Sequence, residues 1–187
     1  KAAEKTLAKL GATKIKTCKA PIVFHRDVSR SLIGSFLSAI NGHNLYKQSS
    51  FLLDSLDKPI FAEHIQLDER PLLLKGVASS AFDGDGVAKR EKHIVESGVL
   101  QQYLLDVYSA RRLNMQTTAN AGGVHNLFLN AQVDALDDLL KQMNTGLLIT
   151  SLMGQGVNIV TGDYSRGASG FWVENSEIQY PVSEITI

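Results

Sequence analysis

Five histidines, one cysteine and a scatter of carboxylates are the residues with which this chain could do chemistry. His25, His43, His64, His93 and His125 are dispersed singly along the sequence. No H-E-x-x-H or H-E-x-x-x-H run sets two imidazoles on one helix face with a glutamate as general base, as a zinc peptidase requires. There is no G-x-S-x-G elbow to present a nucleophilic serine and no G-x-x-x-x-G-K-[ST] loop to cradle phosphates. Cys18 sits between Lys16 and Lys19, whose charge favours a thiolate, but no histidine base adjoins it, and a structural or incidental thiol is the expectation. Asp83-Gly-Asp-Gly86 opens like a calcium loop. The further oxygen ligands and the closing glutamate are missing, and the basic run Lys89-Arg-Glu-Lys92 follows, so an acidic turn is expected. His125 and Asn126 close a polar loop, Thr117 to Asn126, that carries two glycines. Such a histidine is either a contact residue or one hydrogen-bonded within its loop.

The second candidate region is Thr161 to Ile187, which contains the only tryptophan. Gly162, Gly167 and Gly170 surround Tyr164 and Arg166, a pattern that lets backbone lie close to a ligand or another chain while one aromatic ring and one guanidinium project from it. Tyr164 and Arg166 are therefore candidate substrate or partner contacts. An ordinary glycine-rich connection with both side chains packed for structure is the competing reading. Phe171-Trp-Val173 and Ile178-Gln-Tyr180 flank Glu174-Asn-Ser-Glu177, predicting a hairpin with a four-residue connection built on a type I turn.

Elements that would carry these residues can be read from periodicity. The opening KAAEKTLAKLGA predicts a short amphipathic helix stopped at Gly11. Pro21 to Phe24 predicts a buried strand, and Val28 to Ile40 a helix capped by Asp27 or Ser29 and ended by Asn41-Gly42. Ile60 to Glu69 alternates like a strand, and His93 to Leu105 predicts a second hairpin with Glu96-Ser-Gly98 at its tip. A helical turn is expected at Tyr108 to Asn114, and a helix from Val133 to Met143 with acids early and Lys141 late, as the helix dipole prefers. Gly146 to Leu152 and Val157 to Thr161 complete the expected strands. The sum is an α+β chain of mostly antiparallel sheets and hairpins with two main packed helices, expected to form a single domain over residues 1–187.

Composition narrows the function classes. With 187 residues the chain can bury about 70% of its unfolded surface. Nineteen basic residues against nineteen acidic ones leave no bulk field to attract nucleic acid, and no apolar run approaches the roughly 20 residues that span a bilayer. One cysteine excludes an internal disulfide framework and fits the reducing cytoplasm. The absent initiating Met and the strand-like end Glu184-Ile-Thr-Ile187 are what a fragment of a longer protein would show, with an N-terminal domain and the extreme C-terminus missing.

Several phrases, in order, carry a resemblance: Ser35-Phe-Leu-Ser-Ala-Ile-Asn-Gly42, Tyr46 to Asp54, Leu73-Leu-Lys-Gly76, Phe82-Asp-Gly-Asp-Gly-Val87, Tyr108-Ser-Ala-Arg111 and Ala121-Gly-Gly-Val-His-Asn126. Leu152-Met-Gly-Gln-Gly156, Thr161 to Ala168 and Phe171-Trp-Val-Glu-Asn175 continue it to near the end. The chain resembles the TldD/PmbA family, on its PmbA (TldE) branch. The resemblance implies a cytoplasmic complex, similar to a metalloprotease, in which a TldD-like subunit carries zinc on an H-E-x-x-x-H helix and the pair acts on unstructured peptides; an older name of the family is modulator of DNA gyrase. By order along the chain the matching helix is Val28 to Ile40, which holds Arg30, Ser31, Leu32, Ile33, Gly34 and Ser35 but no histidine or glutamate. The expectation is a non-catalytic subunit that binds no metal itself and partners a TldD-like protein and an extended peptide. The alternative is a stand-alone binding regulator of a topoisomerase or toxin system. A metal site built from His125 and distant acids is a third reading.

Overall fold

A computed structural model describes residues 2–130 and 134–187, with the side chain of Ala2 excepted. The fold is α+β, with five helices and eight strands among the described residues. The chain divides into two compact units: the described residues of Lys1–Ser35 with Asp134–Asn158 and Gly162–Ile187 form unit 1, and those of Phe36–Val133 with Ile159–Thr161 form unit 2.

Unit 1 is built on a four-stranded sheet. Its strands are β1 (Ile22–Phe24), β6 (Gly146–Met153), β7 (Gly167–Glu174) and β8 (Glu177–Thr186), in the order β1-β6-β7-β8. β1 lies parallel to β6, while β6, β7 and β8 run antiparallel. Successive residues of β6 alternate between faces, as the pleat requires. Leu147 and Ile149 join Ala168, Val182 and Ile185 in one apolar cluster, against which Val28 of helix α2 (Arg26–Ala39) packs. Leu148 joins Val173 and Leu140 in the other, completed by Leu136 and Met143 of helix α5 (Leu136–Met143). Helix α1 (Ala2–Leu7) precedes the sheet, and Gly11 follows it with φ 73°.

Several predicted boundaries moved for identifiable reasons. α2 begins at Arg26 rather than after Asp27 or Ser29, because the Asp27 amide donates to His25 Nδ1 and the amides of Val28 and Ser29 reach the His25 carbonyl. The cap is thus an imidazole, which residue preference does not favour. Val133, the first residue of the predicted helix, lies outside the described residues; Ala135 is the N-cap with extended backbone, and the helix starts at Leu136. The β7–β8 connection is two residues, with Asn175 and Ser176 both at positive φ, instead of a four-residue type I connection. That twist matches paired strands better, and asparagine tolerates it. Val157 to Thr161 is a turn and not a strand. The Asn158 amide donates to Asp163 O and the Gly162 amide to Asn158 O, folding the segment on itself.

Unit 2 holds the second sheet, ordered β4-β3-β2-β5, all antiparallel. Its strands are β2 (Gln66–Glu69), β3 (Lys92–Glu96), β4 (Val99–Leu100) and β5 (Leu127–Asn130). The hairpin predicted at Ser97-Gly98 is present. The strand predicted over Ile60 to Glu69 shrinks to its last four residues, since the amides of Ile60 and Phe61 both turn to the Gly98 carbonyl. Helices α3 (Gly42–Tyr46) and α4 (Val107–Arg112) pack together, capped by Asn41 and Asp106 side chains. Ile40, Leu45, Leu67, Ile94, Leu100 and Leu105 are almost wholly buried and form the unit's interior.

Candidate functional site

In unit 1 the candidate site lies where the first two turns of α2 face the far half of β6. A cavity of about 520 Å³ is lined there by Asp27, Arg30 and Ser31 from the helix, Thr150 and Ser151 from the strand, and Arg166. Thr150 and Ser151 are the polar pair that interrupts an otherwise apolar strand, and this interruption is the sequence signal that was missed. The strand kinks beside them, with a register shift against β7 between Ile149 and Ser151. Arg166 reaches the cavity from the residue before β7 and is anchored by its guanidinium donating to the Gly154 carbonyl at 2.8 Å. Tyr164 packs edge-on against Phe24 at 6.4 Å between ring centroids. Thr150 Oγ1, Tyr164 Oη and Arg166 Nε are all buried without a hydrogen-bond partner among the described residues. Buried polar atoms are nearly always satisfied, so two such atoms on residues lining one cavity, Thr150 Oγ1 and Arg166 Nε, mark it as unusual.

His125 and Asn126 belong to a different place, in unit 2, where the loop that carries them is tied down by buried charge. Glu69 is fully buried and accepts from the His125 amide at 2.7 Å and from Asn120 Nδ2 at 3.0 Å, while Lys92 Nζ pairs with it at 3.1 Å. Lys92 also donates to Asn120 Oδ1 and to the Thr118 carbonyl. Lys89 Nζ lies against the His125 ring, 3.0 Å from Nε2. Burial pushes both lysines down, with the Glu69 charge opposing. The Asn126 side chain accepts from the Ala78 amide and donates to the Arg70 carbonyl and Ser79 Oγ. Its polar atoms are thus engaged within the chain.

The predicted acidic turn is more tightly held than its composition suggests. Asp83 is buried, and its carboxylate accepts from the amides of Asp85, Val87 and Ala121 at 2.9 to 3.0 Å. Burial alone would raise its pKa, but the three amides outweigh that and hold the carboxyl below the usual range. A depressed folded-state pKa gives stability that is present above the unfolded value, about 3.9, and lost as pH falls through the lower folded value. The wild type should therefore lose stability in urea more steeply below about pH 4 than Asp83→Asn does. Equal losses in the two proteins would remove Asp83 as the carrier of acid sensitivity.

The remaining histidines serve local ends. His25 caps α2, His43 meets the Tyr46 hydroxyl at 3.2 Å, His64 is exposed, and His93 bonds Asp68 at 2.7 Å. Cys18 is exposed. Among the described residues no three His, Cys, Asp or Glu side chains are grouped to hold a metal ion, so the third reading of His125 finds no companion acids in ligand geometry. Among them, too, no helix is long and apolar enough to cross a membrane.

Helices and mostly antiparallel sheets, with an arginine- and hydroxyl-lined cavity at the first turns of α2 in unit 1, make up this α+β chain, and comparison with known proteins gives it a family. Residues 17–187 match the PmbA/TldA metallopeptidase C-terminal domain, and the chain belongs to that family. It is 51% identical over 185 residues to "Metalloprotease PmbA" of Escherichia coli O157:H7, covering 99% of this chain and 41% of the relative. It is 52% identical to a "Metalloprotease PmbA homolog" of Haemophilus influenzae, with 99% and 41% covered. The chain thus spans about two fifths of the length of these curated relatives. Among solved structures, a candidate modulator of DNA gyrase from Bacteroides thetaiotaomicron superposes with TM-score 0.93 at 34% identity, over 99% of this chain and 42% of that one. TldE from Thermococcus kodakarensis shares the fold, with TM-score 0.75 at 21% identity over 97% and 44%.

The family's metallopeptidase description implies zinc, and the donors on α2 do not fit it. Helix α2, which carries Arg30, Ser31 and Ser35, holds no histidine, cysteine or glutamate. Ser31 Oγ and Ser35 Oγ are turned back onto the helix carbonyls of Val28 and Ser31. A divalent zinc ion takes imidazole, thiolate or carboxylate ligands, none of which these residues supply.

Proposed function

We propose that this chain is the C-terminal domain of a TldE-type, non-catalytic subunit that pairs in the cytoplasm with a TldD-like zinc peptidase and helps hold an extended, unstructured peptide for processing. The observation that carries this reading is that α2, which bears Arg30, Ser31 and Ser35, holds no histidine, cysteine or glutamate inside a chain of the metallopeptidase family. Zinc belongs to the partner. Tyr164 and Arg166 contact the peptide or the partner, and His125 and Asn126 contribute through the loop that Glu69 pins.

Zinc content and peptidase activity of the full-length protein, alone and mixed with a TldD-like subunit, test the proposal. Chelator-sensitive hydrolysis is expected in the mixture only; the same activity in the isolated protein would overturn it. Tyr164→Phe and Arg166→Gln should each weaken peptide or partner binding by about tenfold, or 1.4 kcal/mol, with unchanged circular dichroism. Unchanged binding in both returns the loop to a packing role.

A second reading is a stand-alone binding regulator without a proteolytic partner. It is favoured by the solved relatives from Bacteroides thetaiotaomicron and Thermotoga maritima, both described as candidate modulators of DNA gyrase. Recovery of a TldD-like protein as the dominant stoichiometric partner from native extract counts against it.

A further inference from the structure

The cavity at Arg166 does not stand alone. A second cavity, about 240 Å³, is lined by Lys5, Lys9, His25, Leu148 and Phe171, and Asp27 and Thr150 line both. The two hollows therefore meet at one residue pair. Along the joined trough stand four full cations, Lys5, Lys9, Arg30 and Arg166, and a single acid. That acid is already engaged, since Lys5 Nζ donates to Asp27 Oδ2 at 3.1 Å and holds the Asp27 carboxyl below the usual range. Three positive charges are left without an opposing carboxylate lining the trough, in a chain whose formal net charge is zero. Thr150 Oγ1 at the junction and Arg166 Nε in the larger hollow have no hydrogen-bond partner among the described residues. Leu148 and Phe171 supply an apolar floor to one half.

We infer that this trough is a recognition site for the acidic side chains of an extended peptide. The inference rests on the peptide-holding role proposed above and gives it a substrate class. Guanidinium groups bind carboxylates through paired, charge-assisted hydrogen bonds, and an ammonium serves as a mobile point charge. Arg30 and Arg166 at one end and Lys9 at the other take carboxylates of residues spaced along the peptide. The apolar floor between them takes an intervening aliphatic or aromatic side chain. Such a pattern discriminates by charge more than it adds raw affinity, because a lysine-rich peptide would place like charges against Lys9, Arg30 and Arg166.

The test uses the full-length protein and fluorescein-labelled unstructured peptides of one length and three compositions: glutamate-rich, its lysine-for-glutamate counterpart, and a neutral serine–glycine version. The glutamate-rich peptide should bind about tenfold tighter than the neutral one at low salt and lose that advantage as ionic strength rises. Lys9 and Arg30 are exposed, so Lys9→Glu with Arg30→Glu should fold normally and erase the preference. Amidating the peptide's C-terminus should change nothing. Equal affinity for acidic and basic peptides, a double variant that binds as the wild type does, or binding that follows the free terminal carboxylate irrespective of composition would each overturn the inference. Assembly with a TldD-like subunit and chelator-sensitive cleavage of the neutral peptide report on the proposed function separately, so that role can stand while the acidic preference fails.

Discussion

Glu69→Ala is expected to remove about 3–5 kcal/mol from the stability of unit 2, the range seen when one partner of a buried ion pair is taken away. The wild-type carboxylate has no exposed surface and neutralises Lys92, whose own side chain is 6% exposed. Its loss strands that ammonium, the His125 amide and one amide hydrogen of Asn120 in a site water does not reach. Glu69→Gln keeps the shape and the acceptor while removing the charge, so it should recover part of the loss through the His125 amide alone. Urea denaturation of the full-length protein, followed by a probe in unit 2, checks both numbers. A loss below about 1 kcal/mol for the alanine variant would mean that the pair is no better than a solvated surface bridge.

Gly170→Ala should be comparably damaging by an unrelated mechanism. A methyl group built there would sit 1.9 Å from the Leu148 carbonyl oxygen and 2.9 Å from Ile149 Cα, both backbone atoms of the neighbouring strand β6. Neither can rotate away, so β7 must slide off β6 at the register shift beside Thr150. Overpacking of this kind typically costs about 1–3 kcal/mol, and sometimes more when backbone has to move. Gly34→Ala is the matching control. Nothing lies within 4 Å of the position its methyl would take, and alanine is favoured over glycine in a helix by about 1 kcal/mol, so that variant should be neutral or more stable. Thermal melts of the three proteins decide. Similar melting temperatures for Gly170→Ala and wild type would show that the strand pair can absorb the methyl group.

What the sequence revealed and what it concealed divide along local and non-local lines. The β7–β8 hairpin, the β3–β4 hairpin and α2 were visible because alternation, helical spacing and turn residues act over a few positions. The Glu69–Lys92–Asn120 network was not. Lys92 appeared as the end of a basic run, and nothing within a window of ten residues announces that its charge meets a carboxylate on another strand. Asp83 likewise looked like a solvent-facing turn residue until the Ala121 amide, from a distant loop, was found on its carboxylate. Val157 to Thr161 misled in the opposite direction. Its β-branched residues suit a strand, but pairing stops at a single bridge from Val157 to Tyr164, and the Asp163 carbonyl closes the segment into a turn. Arg166, singled out by glycine spacing, lines the cavity, whereas Tyr164 packs on Phe24 without lining it, and Thr150, Lys9 and Arg30 acquire meaning only when the cavities bring them together.

The parallel pairing of β1 with β6 also carries a consequence for how the protein is made. Ile22 faces Leu147 across that ladder, and the main segment of unit 2, residues 36–133, lies between them in the chain. On a translating ribosome, Ile22–Phe24 emerges early and has no strand to join until Gly146–Met153 follows. By then the interior residues of unit 2, from Ile40 to Leu105, are all available to one another. Closing a long loop carries an entropic penalty before any contact rewards it, and that penalty is smaller once the intervening chain is already compact. Unit 2 is in this sense largely an insert in the chain of unit 1, and the sheet that carries the arginine-lined trough cannot pair β1 with β6 until residues 146–153 have emerged.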